Sequence, residues 1–209
     1  GHWDVSSVTT MYALFSYSSF NQDIGNWDVS NVTNMNSLFD AATSFNQDIS
    51  SWDVSNVYDM AYMFEKARAF DQPIGSWNVS NVTKMQGMFQ DARMFNQPIG
   101  NWDVSKVRNM SMMFKRSNFN QPIGDWNTGS VTTMYQMFFE NQVFNQPIGS
   151  WDVSNVTNME GMFKGEEVKI GEFIDEGKVG SQFNQDISGW DVGNVTTMDN
   201  MFRDAHNFD

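Results

Sequence analysis

Apolar and polar residues follow a pattern that repeats about every 25 residues. The tryptophans mark it: Trp3, Trp27, Trp52, Trp77, Trp102, Trp126, Trp151 and Trp190 are spaced 24, 25, 25, 25, 24, 25 and 39 residues apart. They define eight units, numbered 1 to 8 in chain order. Behind each Trp come two valines (one in unit 6, where Thr128 replaces the first), a Met column (Met11, Met35, Met60, Met85, Met110, Met134, Met159, Met198) and a second column of Leu or Met. One Phe column follows directly (Phe15 to Phe202) and another opens a Phe-Asn-Gln segment (Phe20 to Phe208); together they hold 16 of the 18 phenylalanines. An Ile column, Ile24 to Ile187, closes the unit. A single unit cannot bury these residues alone, so identical positions are expected to stack into one continuous core.

Spacing predicts the local elements. In 30–39 the apolar residues Val32, Met35, Leu38 and Phe39 recur at helical intervals, which predicts a short helix with Ser30 or Asn31 as its N-cap. The segment 45–49 and its equivalents read as one short extended strand per turn, paired in parallel with its neighbours about 4.8 Å away. The expected architecture is α/β: a leucine-rich-repeat-like solenoid of about eight turns, one short parallel strand and one short helix in each. Four prolines, Pro73, Pro98, Pro122 and Pro147, sit inside the predicted strand. Proline has no N–H for a central ladder, so the strand must be short there. Small Ala42 recurs as Ala67, Ala92 and Ala205, where neighbouring backbones should approach closely.

Composition limits the partners. The 209 residues carry a formal charge of −13, which argues against nucleic acid and anionic membranes. There is no cysteine, hence no disulfide, thiolate metal site or Cys nucleophile, and no run of about 20 apolar residues for a membrane span. We expect a single repeat solenoid over 1–209, a fragment of a longer protein, with an insertion loop at 164–182 in the seventh repeat. The 39-residue Trp spacing contains this loop.

Phe45-Asn46-Gln47-Asp48-Ile49 and the run from Trp151 to Met159, with Met162-Phe163 after it, resemble the leucine-rich-repeat surface proteins of the BspA-like group, in the subgroup known from mycoplasma-type lipoproteins. The resemblance covers almost the whole chain. It implies a curved leucine-rich-repeat solenoid, an extracellular or cell-surface location, a role in adhesion or protein recognition, and no catalytic residues.

No catalytic constellation can be assembled: the two histidines are His2 and His206, and no zinc or phosphate-binding signature is present. The Asp after each Trp is replaced by Asn78 and Asn127, which keeps an acceptor but loses the charge and so predicts Asx turns. Asp23, Asp48 and Asp186 alternate with the four prolines and are expected to be exposed. With the insertion residues Glu166, Glu167, Lys169, Glu172, Phe173, Asp175 and Glu176, they are the candidate binding positions, because a loop that breaks a strict repeat is free to recognise. The expected function is a non-catalytic module that binds a protein or a ligand on a host or neighbouring cell, with end-to-end or lateral self-association also open. The alternatives are a spacer that oligomerises through its ends, or a carbohydrate- or calcium-binding module. No metal ligands or cofactor are assigned; calcium, an oxygen-seeking ion, is the one cation these carboxylates suggest. The Asn-Gln pairs are expected to form hydrogen-bonded ladders.

Overall fold

A computed structural model describes residues 3–166 and 180–209. The units lie one on the next in chain order, joined by parallel bridges at one position per unit: Thr10, Asn34, Asp59, Lys84, Asn109, Thr133, Asn158 and Thr197. Among the described residues there is no helix, and each bridge stands alone rather than within a strand. The predicted α/β leucine-rich-repeat architecture is therefore incorrect. What stacks is a coil of turns.

The backbone of the predicted helix explains the error. Leu38 N–H donates to Met35 O at 3.2 Å, Asp40 to Ser37 at 3.1 Å and Ala42 to Phe39 at 3.0 Å, each a bond over three residues. The amides between them donate outward to the next unit: Met35 to Asp59 O, Ser37 to Ala61 O, Phe39 to Met63 O and Ala41 to Glu65 O. Ser37 and Ala41 have φ of 57° and 54°, the mark of the third position of a type II turn. Such residues end any right-handed helix. Among the described residues thirteen non-glycine residues have positive φ, from Ala13 to Asp204, and all fall in these same two columns. Three overlapping turns place apolar side chains at nearly helical spacing, so the periodicity mimicked a helix.

The predicted strand is displaced by side chains. Asn46 N–H donates to Asn21 Oδ1 at 3.0 Å, and Gln47 Nε2 donates to the same oxygen at 2.9 Å. The motif repeats through Asp71, Asn96, Asn120, Asn145 and Asn184 up to Asp209. The expected Asn-Gln ladder is formed, but not within a sheet. The asparagine carboxamide occupies the amide that a strand would have paired with a carbonyl. The prolines are tolerated because no backbone ladder runs through their column.

Stacked aromatics fill the core. Within units 2 to 8 the two Phe rings stack 3.8 to 4.1 Å apart. Between neighbouring units the first Phe column repeats at 5.6 to 5.8 Å, as from Phe89 to Phe114. The tryptophans from Trp52 onward are buried, and each indole N–H donates to an Ile carbonyl, as Trp102 does to Ile74 O at 3.2 Å. That carbonyl also accepts the amide of Trp77, so both its lone pairs are used. Ala42, Ala67 and Ala92 are fully buried, as the small-residue column predicts.

Loop length is written in the third residue after the first Phe. The five-residue loops of units 2, 3, 4 and 8 carry the alanines, whose carbonyl accepts the next Phe amide, as Ala67 accepts from Phe70, while in that of unit 6 Asn141 Oδ1 accepts from Phe144 N at 3.0 Å. The four-residue loops of units 1 and 5 carry Ser18 and Ser117 instead. Their hydroxyls donate to Phe15 O and Phe114 O and accept from Phe20 N and Phe119 N. Ser181 likewise accepts from Phe183 N at 3.3 Å. A Cβ built on Gly165 would lie 2.8 Å from the Gly180 Cα, so the insertion leaves and rejoins the stack at one point. Joining Gly165 to Ser181 restores a four-residue loop, Lys-Gly-Ser-Gln, beside the Lys-Arg-Ser-Asn of unit 5. On this register the residues in excess of the repeat are 166–180, inside the expected 164–182, and 167–179 lie outside the described residues.

Candidate functional site

The polar residues most exposed in the repeat are largely spent on turns. Asp28 Oδ1 accepts from the Ser30 hydroxyl at 2.6 Å and its amide at 3.1 Å, and these two bonds hold its carboxyl below the usual range. Ser55 and Ser105 do the same for Asp53 and Asp103. Asn78 and Asn127 make the amide bond without the charge. The column is thus a set of Asx turns. The Asn at the fourth position after Trp is spent as well: Asn81 Nδ2 donates to Ser55 O at 2.8 Å, and its equivalents follow suit.

Asp23, Asp48 and Asp186 are exposed but also cap turns, accepting from the amides of Gly25, Ser50 and Ser188. The Ser50 amide, then its hydroxyl, lower the Asp48 carboxyl; the Ser188 hydroxyl, then its amide, lower Asp186. Asp186 is five units from Asp48, beyond the four prolines, so the three do not converge. No group of three or more His, Cys, Asp or Glu among the described residues is placed to hold a metal ion. Glu167, Lys169, Glu172, Phe173, Asp175 and Glu176 lie outside the described residues. Glu166 is exposed and accepts from Gln142 Nε2 at 2.6 Å.

Glu166 borders a cleft of about 680 Å³ that the sequence reading missed. Its walls come from the second and fourth residues after the first Phe in units 3 to 6: Lys66 and Arg68, Asp91 and Arg93, Arg116 and Asn118, Glu140 and Gln142. Its centre is the shortened loop of unit 5. Arg116 Nε meets Glu140 Oε2 at 2.6 Å, and this bond raises the Arg116 pKa. Lys66 is paired with Glu65 at 2.8 Å, and that bond raises its pKa too. Arg93 reaches Asp91 only at 3.5 Å, and Asn118 Nδ2 holds the Arg93 carbonyl at 2.9 Å. Arg68 has no ion-pair or hydrogen-bond partner among the described residues. Met94, beside Arg93, is 61% exposed.

Packing in the column directly after the first Phe is also electrostatic. Lys115 and Lys164 lie 4.7 and 5.4 Å from the Phe139 ring centre, one from each neighbouring unit. Burial, then Arg116, draws the Lys115 pKa down. Asp40 is buried with Oδ1 unpartnered, and that burial raises its pKa.

Fold and site together define a tandem-repeat protein with a stacked core and a charged cleft. The chain belongs to the family described as "Mycoplasma protein of unknown function, DUF285", whose model matches residues 1–100, 93–173 and 178–209. No curated protein and no solved structure matches it. Among the described residues no helix is long and apolar enough to cross a membrane.

Proposed function

We propose that the chain is a non-catalytic cell-surface module for adhesion or protein recognition. The observation that carries this reading is the mixed-charge cleft over units 3 to 7. The Asx turns and asparagine ladders engage the repeated polar groups elsewhere with their own backbone, whereas Arg68 is unpaired among the described residues. A stack of units presents such residues at fixed intervals on a rigid support, an arrangement suited to extended protein ligands. The surface location rests on the resemblance to the BspA-like group. Purified chain on beads should bind host or neighbouring cells saturably, and protease treatment of those cells should abolish binding. Absence of saturable binding would rule the reading out.

A further inference from the structure

We infer that the cleft takes an extended peptide of a partner protein, with an acidic residue at one end and a basic residue at the other. This inference rests on the recognition reading above and names the chemistry of its partner.

The cleft is electrically polar. Arg68 and Arg93 occupy the same column on adjacent units, Arg68 unpaired among the described residues and Arg93 only loosely paired. Bridged units lie about 4.8 Å apart, a separation that one carboxylate can span between two guanidinium groups. The other end carries Glu140 and Glu166. Among the described residues Arg116 and Gln142 engage the Oε2 of these carboxylates, and Oε1 is the oxygen that would accept from a ligand. The two ends are about three units apart, roughly 14 Å at that rise. An extended chain covers this distance in about four residues at roughly 3.3 Å each. Exposed Met94 offers an apolar contact beside the positive end.

A ligand of one sign does not fit this surface. A polyanion would meet Glu140 and Glu166 on a chain of formal charge −13, and a polycation would meet Arg68 and Arg93. Like-charge contacts of this kind set specificity. The order of charges therefore selects the ligand.

Calorimetry on the full chain tests this with three capped seven-residue peptides, Leu-Glu-Gly-Ser-Gly-Lys-Gly and its versions with Glu or Lys at both charged positions. The mixed peptide should bind saturably, at least tenfold more tightly than either single-sign peptide. Arg68→Glu with Arg93→Glu should weaken the mixed peptide at least tenfold, tighten the all-Lys peptide and leave the melting temperature unchanged. Arg68→Gln with Arg93→Gln serves should the reversal disturb folding. No saturable binding of the mixed peptide, or binding indifferent to these substitutions, overturns the proposal; so does a heparin oligosaccharide that binds more tightly through the same arginines. The cell-binding assay separates the two readings. Cell binding that persists unchanged in the double variant overturns the cleft assignment and leaves recognition standing; no cell binding at all overturns both.

Discussion

At the residue scale thirteen non-glycine residues among those described adopt a left-handed conformation, each carrying a cost of about 1–2 kcal/mol for an L-residue. The interlocking turns and inter-unit bonds hold them there. A sharp test follows at Ala41 (φ 54°), a half-buried residue with little side chain to lose. In a helix, Ala→Gly would cost about 1 kcal/mol. Here Ala41→Gly should be neutral or stabilise by up to about 1 kcal/mol, since relief of the left-handed strain offsets the added freedom of the unfolded chain. Chemical denaturation reads the sign directly. Gly87→Ala should destabilise, because its Cβ would run into the Tyr62 ring.

Titration behaviour also belongs to single residues. The Asx-turn carboxyls are lowered by their serine partners. Groups with depressed folded pKa add stability above the unfolded value, about 3.9, and lose it as pH falls through the folded one. Asp40 is raised by burial, so the sign reverses: its ionisation above the unfolded value costs stability at neutral pH. Melting temperature should therefore fall below about pH 4, and Asp40→Asn should raise it at pH 7.

At the scale of the element, the side-chain ladder stands where a backbone ladder was expected. Asn120→Ala removes the acceptor of both Asn145 N–H and Gln146 Nε2, and two lost bonds amount to about 1–3 kcal/mol. Asn120→Asp should be tolerated, because Asp71 already fills this column and makes the same bonds. Denaturant midpoints of the two variants check the contrast. The element assignments were the least legible part of the sequence. Val32, Met35, Leu38 and Phe39 repeat as a helical face would, yet φ at Ser37 and Ala41 is decided by bonds to a unit 24 residues further on. Pro73 and its equivalents were the visible clue that the strand was misplaced. The cleft was illegible for a related reason: its residues occupy two variable columns, and only the stacking of units 3 to 7 gathers them round one opening. Their one trace in the sequence is the gathering of Lys66, Arg68, Arg93 and Arg116 at equivalent positions in an acidic chain.

At the scale of the whole molecule each unit bonds to the next in an unbroken line, so stability is a sum of neighbouring interfaces. Phe89 is fully buried at mid-stack. Phe89→Ala should cost about 3–5 kcal/mol and split unfolding into two transitions as the halves uncouple, visible in tryptophan fluorescence. Deleting 166–180 should leave the melting temperature within a few degrees, because the Gly165–Ser181 junction recreates the loop of unit 5.

The columns of Trp, Phe, Met and Ile were enough to establish eight stacked units and a continuous aromatic core, and the Asp or Asn column after Trp the Asx turns. Burial and turn chemistry are local to a residue type, and repetition makes them unambiguous. Which backbone amides pair along the chain and which pair across units was settled only in three dimensions. Two solutions, helix with strand or a coil of turns, bury the same side chains, and inter-unit hydrogen bonds choose between them.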